Sequence, residues 1–195
     1  MKLYDEDQRV NAAMGGEAHP TPSEPTAREQ HSLRAIIERV VATHHVFTRE
    51  AVAKIEALLP KALERDASAH SELRAIAKSA HALCDDLLPH LMREERVLFP
   101  WIEAAEAARD RGAVPPPAHF GTVKNPIRVM DHDHDVVKGL LHELRERTSE
   151  YSAPAWASAE TAELYSTLRA LDRDLVEHIH WESDVIFVRA ASLEG

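Results

Sequence analysis

The sequence predicts an all-α protein, an antiparallel four-helix bundle built from two sequence-related helical hairpins. Three observations carry that prediction. The stretch His90-Leu-Met-Arg-Glu94-Glu-Arg-Val-Leu-Phe99 recurs as His178-Ile-His-Trp-Glu182-Ser-Asp-Val-Ile-Phe187. A shift of 89 lays Val41, His45, Val52 and Ile55 onto Met130, His134, Leu141 and Leu144, with Thr48 against Val137 as the imperfect match. Such internal repetition is a statement about architecture. The composition agrees: 44% hydrophobic residues but only 5% aromatics and 6 glycines favour helices over a sheet, which needs turn glycines and β-branched residues.

Along the chain, residues 1–28 hold Gly15-Gly16 and Pro20, Pro22 and Pro25 without periodicity, and read as a tail or loosely docked arm before a domain over 29–195. Helical periodicity begins near Ala27. Leu33, Ile37, Val40, Val41, Val52, Ile55 and Leu59 form the apolar stripe of the first helix, which Pro60 kinks or ends. Ser68 or Ser71 is placed to cap the second helix, with Glu72 in a capping-box position if the start falls at 68–69. That helix runs to about Arg109 with Pro89 and Pro100 inside it. Gly112 and Pro115-Pro116-Pro117 open an irregular link. Asn125-Pro126 then reads as cap and first turn of a third helix ending near Ser149. Pro154 separates it from a fourth helix over roughly 156–191.

The net charge of −10, with no basic run, argues against nucleic acid or an anionic membrane surface as partner. No apolar run approaches the ~18 residues of a membrane span, and no signal-peptide core is present, so a cytoplasmic protein is expected. One cysteine, Cys84, excludes a disulfide within the chain and reads as a small buried residue.

Histidine is the compositional outlier, with 13. In each repeated stretch a His and a Glu lie four apart, on one helix face. Each pair is preceded by a further stripe histidine, His45 lying 45 residues before His90 and His134 lying 44 before His178. Four imidazoles and two carboxylates therefore face one core: His45, His90, Glu94, His134, His178 and Glu182. Buried carboxylates without partners are costly, and a dinuclear metal centre satisfies both at once. Imidazole with carboxylate and no thiolate suits iron, manganese or zinc, and bundles with inward Glu and His are the usual home of di-iron sites. Two histidines per metal with both glutamates bridging give four protein donors each. A μ-oxo or μ-hydroxo bridge makes a fifth, leaving room for a small ligand. His44 adjoins His45, and the repeat selects His45 as the partner of His134. His132 and His180 point about 200° away from the neighbouring candidates, and Glu95 and Asp184 leave the face.

At these residues, through Pro89–Pro100, Pro126-Ile-Arg-Val-Met-Asp-His-Asp-His134-Asp and Glu177-His178-Ile-His-Trp-Glu182, the chain resembles the hemerythrin-like (HHE) superfamily over about residues 32–190. Within that superfamily it is most similar to the Repair of Iron Centres group of di-iron stress proteins. The resemblance implies the same six ligands, two irons and bridging glutamates. It disfavours oxygen transport, because Lys138 stands where an oxygen carrier has another His, and Ser183 where it has an Asp. The paired-cysteine N-terminal module typical of the repair group has no counterpart in this sequence. Glutamates that group places one turn before the second His and beside the third correspond to Asp86 and Asp133, which are expected either to tune proton or iron traffic or to accept from imidazole N–H groups.

The expected function is a non-haem di-iron protein of nitrosative and oxidative stress that repairs or supplies iron to damaged iron–sulfur or iron centres. The alternatives are an enzyme reducing nitric oxide or decomposing peroxide, a sensor module binding oxygen or nitric oxide, and, more distantly, a di-zinc hydrolase. Zinc or manganese can substitute at such donors. The oligomeric state is left open.

Overall fold

The computed structural model of the chain describes residues 32–194. The expected tail over 1–28, and the helix onset placed near Ala27, lie outside those residues. Within them, four long helices pack as a bundle. The first comprises Leu33–Val40 and Val46–Asp66, joined by a π-helical turn over Val41–His45. The second comprises Glu72–Arg93 and Phe99–Asp110 around a π turn over Glu94–Leu98. The third is the unbroken Lys124–Arg147. The fourth comprises Ala159–His180 and Phe187–Ala191 around a π turn over Trp181–Ile186, ending in a 3₁₀ turn over Ser192–Glu194. The first helix packs on the fourth and the second, and the second packs on the third. No helix among the described residues is long and apolar enough to cross a membrane.

The apolar stripes settle into two separate cores. One gathers Val52, Ile55, Leu73, Leu83, Leu87, Leu141, Leu144, Leu164 and Leu171 with their neighbours. The other gathers Leu33, Ile37, Leu98, Phe99, Ile102, Met130, Ile186 and Phe187. On every helix the break between the two falls at the candidate ligands: 44–48, 90–94, 134 and 178–182. The bundle is thus two apolar plugs with a polar layer between them. Because the first of these cores follows that layer on the first and third helices and precedes it on the second and fourth, neighbouring helices run antiparallel.

Several local expectations are corrected. Pro60 does not end its helix, which continues to Asp66. Ser71 sits at the N-cap of the second helix without a side-chain cap bond, so Glu72 becomes the first helical residue and no capping box forms. The third helix starts a residue before Asn125, whose amide donates to the carbonyl of Phe120 instead of capping. Its cap comes from the other end of the chain: the Glu194 carboxylate accepts from the Val123 N–H at 2.6 Å and from the Thr122 hydroxyl. The first helix is closed the same way, Glu106 accepting from the N–H groups of Leu33 (2.6 Å) and Arg34 (3.0 Å) while Ser32 accepts from Ala35. These carboxylates meet orphan donors at the positive end of a helix dipole.

The turn after the third helix carries three successive non-glycine residues with positive φ: Ser149 at 48°, Glu150 at 58° and Tyr151 at 58°. Such residues are strained and need an external hold. Thr148 Oγ1 accepts from the Tyr151 N–H, the Tyr151 hydroxyl donates to Asp172 at 2.7 Å, and Arg145 makes a two-pronged pair with the same carboxylate. Tyr151→Phe should therefore cost about 1 kcal/mol, and Arg145→Ala, which leaves Asp172 buried without its cation, about 2 kcal/mol or more. Urea unfolding of the two variants measures both.

Candidate metal centre

Each candidate ligand is aimed inward by its helix. His90–Glu94 and His178–Glu182 are i, i+4 pairs lying along one face, as the spacing requires. The π turns begin at or just beside these residues. Single-turn π distortions recur at functional sites, because the wider turn changes which side chains face the interior.

Two groups of four donors result, and they share both carboxylates: His45, Glu94, His178 and Glu182 on one side, His90, Glu94, His134 and Glu182 on the other. In each group the donor atoms lie within 4.8 Å of one another. All six side chains are buried, with Glu94, Glu182 and His45 at 0% exposure. Glu182 divides its oxygens between the groups. Oε1 is 2.6 Å from His178 Nε2 and 3.3 Å from His45 Nε2, while Oε2 is 3.0 Å from His134 Nε2. Glu94 Oε2 stands between the groups as well, 3.6 Å from His45 Nε2 and 3.4 Å from His90 Nε2. Neither Glu94 oxygen has a hydrogen-bond partner.

The outward ring nitrogens define which inner nitrogen presents a lone pair. A carboxylate can only accept, so a Nδ1 beside one carries the proton. His45 Nδ1 donates to Glu95 at 2.6 Å, and Arg49 donates to the same oxygen at 2.8 Å. His90 Nδ1 lies 3.3 Å from Asp133 Oδ2, which also accepts from Arg93 at 2.6 Å. His134 Nδ1 lies 3.1 Å from the Ser183 hydroxyl. Metal-bound histidines are held in this way, by an outer partner that fixes the tautomer.

The electrostatics point to a cation. Burial first, and then the facing Glu182 carboxylate, push Glu94 well above the ordinary carboxylate range. Burial would raise Glu182 too, but His178, His134 and His45 together hold it well below that range. Two carboxylates this close cannot both ionise in a dry site unless positive charge lies between them. Burial also lowers the His178 imidazole, favouring the neutral ring that ligates metals. An orphaned buried carboxylate, a second one split between two pairs of imidazoles and tautomers fixed from outside together fit a pair of divalent or trivalent ions.

The structure brings together all six residues singled out in the sequence and leaves the others outside. His44 turns to Asp174, 2.9 Å away. His132 is exposed, and His180 pairs with Asp184 at the surface. Cys84 is buried, and burial pushes its thiol up to about 12. One expectation is corrected: Asp86 is exposed and bonds no ligand histidine, so only Asp133 of that pair acts as an outer acceptor. Glu95 leaves the inner face, as the sequence indicates, and takes a role the sequence does not assign: it backs His45, and hydrogen bonds from His45 and Arg49 hold it below its usual range despite partial burial.

Glu94→Gln makes the electrostatic account testable on metal-free protein. Glu94's folded value lies above its unfolded one, so its contribution to stability is complete below about pH 4.5 and is lost as the pH rises toward the folded value. The neutral variant should therefore be the more stable apo protein at pH 7, by on the order of 1–3 kcal/mol, with its margin shrinking toward pH 4.5. Added metal should stabilise the wild type and not the variant. Denaturant titrations across pH, with and without metal, check both halves.

The hemerythrin HHE cation binding domain model matches residues 36–190. Among curated proteins, the chain is 29% identical over 174 residues to the iron-sulfur cluster repair protein YtfE of Edwardsiella ictaluri, covering 89% of this chain and 73% of that protein. It is 32% identical over 157 residues to the iron-sulfur cluster repair protein DnrN of Neisseria gonorrhoeae, covering 80% of this chain and 89% of that one. A match to YtfE of Escherichia coli O157:H7 is 27% identical over 162 residues, covering 83% and 68%.

Proposed function

We propose, from the premise that this chain belongs to the hemerythrin HHE cation binding domain family, that it is a di-iron protein that repairs or supplies iron to damaged iron–sulfur and iron centres under nitrosative or oxidative stress. The observation that carries the reading is the pair of His₂ groups sharing two buried glutamates, one of them without a hydrogen bond from protein. The relatives named as iron-sulfur cluster repair proteins supply the direction of the function. In this reading His45 and His178 would hold one iron and His90 and His134 the other, with Glu94 and Glu182 available to both. Zinc or manganese can occupy the same donors in a purified sample.

The bound pair of irons supplies redox-active, exchangeable metal to the site. The chain's own residues do the rest. The two apolar cores above and below keep water from the carboxylates. Glu95 and Asp133 keep the Nδ1 protons on His45 and His90, so Nε2 faces inward. Four protein donors per ion would fall short of a full shell, so that a small ligand such as nitric oxide, oxygen or peroxide could complete it. The donor set of imidazole and carboxylate without thiolate suits iron. The acidic balance and the absence of a basic run fit protein partners in the cytoplasm rather than nucleic acid.

The test is iron transfer. Ferrous-loaded protein incubated anaerobically with an iron-depleted or nitrosylated iron–sulfur protein should restore its activity while losing iron in proportion. Irons that survive strong chelators for hours, with no reactivation, contradict the reading. Repeated turnover of nitric oxide or peroxide with an electron donor favours the enzymatic alternative. His90→Ala and Glu94→Ala should abolish both the metal pair and the transfer, whereas His44→Ala should largely spare the pair. Equal loss in all three variants contradicts the assignment of the inner face.

A further inference from the structure

Three of the four inner histidines have an outer partner on Nδ1, namely Glu95, Asp133 and Ser183. His178 is the exception. Its Nε2 faces Glu182 at 2.6 Å, and its Nδ1 is buried without a hydrogen-bond partner. One turn earlier on the same helix, Asp174 Oδ2 is also buried and unpartnered. The other oxygen of that carboxylate, Oδ1, accepts from His44 Nδ1 at 2.9 Å. Residues 174 and 178 are i, i+4 neighbours and share a face. The His44 ring also lies parallel over the His178 ring, with centroids 5.4 Å apart and planes 5° from parallel. His44 therefore grips both members, Asp174 by a hydrogen bond and His178 by stacking.

With Nε2 turned to a metal, the neutral His178 ring carries its proton on Nδ1, and an unpaired buried donor one turn from an unpaired buried acceptor on the same helix face reads as a matched pair rather than two defects. We infer that Asp174, held in place by His44, is the positioning residue for His178: its Oδ2 takes the Nδ1–H of His178 through one ordered water. This completes the set of outer partners and fixes the His178 tautomer with Nε2 directed inward. The doubled histidine at 44–45 then has a division of labour, His45 on the inner layer and His44 behind its neighbour. The inference rests on the reading of His178 as a metal donor.

Zinc serves as the probe because it is diamagnetic and suits these donors. Wild-type protein loaded with zinc and labelled with ¹⁵N-histidine should show a slowly exchanging Nδ1–H on His178, lost in Asp174→Ala and kept in Asp174→Asn, whose amide oxygen can still accept. Chelator competition should show one of the two zinc ions weakened about 10–100-fold in Asp174→Ala while the other is unchanged. His44→Phe, which keeps the stack and loses the hydrogen bond to Asp174, should weaken the same ion by less. Unchanged affinity in Asp174→Ala overturns the inference, as does a His178 Nδ1–H in the wild type that exchanges as fast as a solvent-exposed one. The second result needs no variant to fold. A wild type that takes up no pair of zinc ions overturns the dimetal reading, and this inference falls with it.

Discussion

The confrontation of Glu94 with Glu182 is the constraint on which the rest of the structure depends. Both carboxylates are fully buried, between two apolar cores that supply neither water nor a basic side chain. Lys and Arg are kept to the rim, where Arg49 and Arg93 reach only the outer carboxylates. An arrangement that merely stabilised the fold would place apolar residues at these positions, since a buried charged group is a net cost unless it is fully compensated. The imidazoles compensate Glu182 and leave Glu94 exposed to the penalty. Cationic charge between the two groups of donors would offset that penalty, and metal uptake would then be part of the folding free energy.

The surrounding architecture follows from holding that layer. Four helices crossing one polar slab give four directions from which donors converge, and the two cores fix the slab from either side. The three helices that carry His45, Glu94 and Glu182 widen into π turns at that level, while the third, which contributes only His134, stays regular. The ends of the bundle are tied by carboxylates distant in sequence: Glu106 closes the first helix, and Glu194 closes the third. Behind the inner donors stands a ring of outer groups, each reaching across from a different helix or, for Asp174, along the same one. Its members differ in kind. Carboxylates shared with arginines back His45 and His90, and a hydroxyl backs His134, so the two halves of the repeat are alike in their inner donors and unlike in what supports them.

The inner layer was legible in the sequence because two independent regularities point to it: the i, i+4 spacing within each stretch and the repeat between them. The repeat distinguishes His45 from His44 where periodicity alone cannot. The outer ring was much less legible. Helical spacing takes Glu95 off the inner face but cannot show that it lands behind His45 on the neighbouring helix. Asp86 and Asp133 read alike from the sequence, yet one is exposed and the other bonds His90 from the neighbouring helix, a difference that only the packing of helix on helix decides. Helix limits failed where capping comes from a distance. Asn125-Pro126 has the local chemistry of a start, but a carboxylate some seventy residues away fixes the helix one residue earlier. Local rules see only neighbours in sequence, and here the decisive partners are neighbours in space.

The most direct test of the central claim is the metal content of the protein purified from iron-replete cells, read together with its near-ultraviolet spectrum. Two irons per chain with strong near-ultraviolet charge-transfer absorption is the result the paired His/Glu groups predict. No more than traces of iron, persisting after anaerobic reconstitution with ferrous salt, would contradict it.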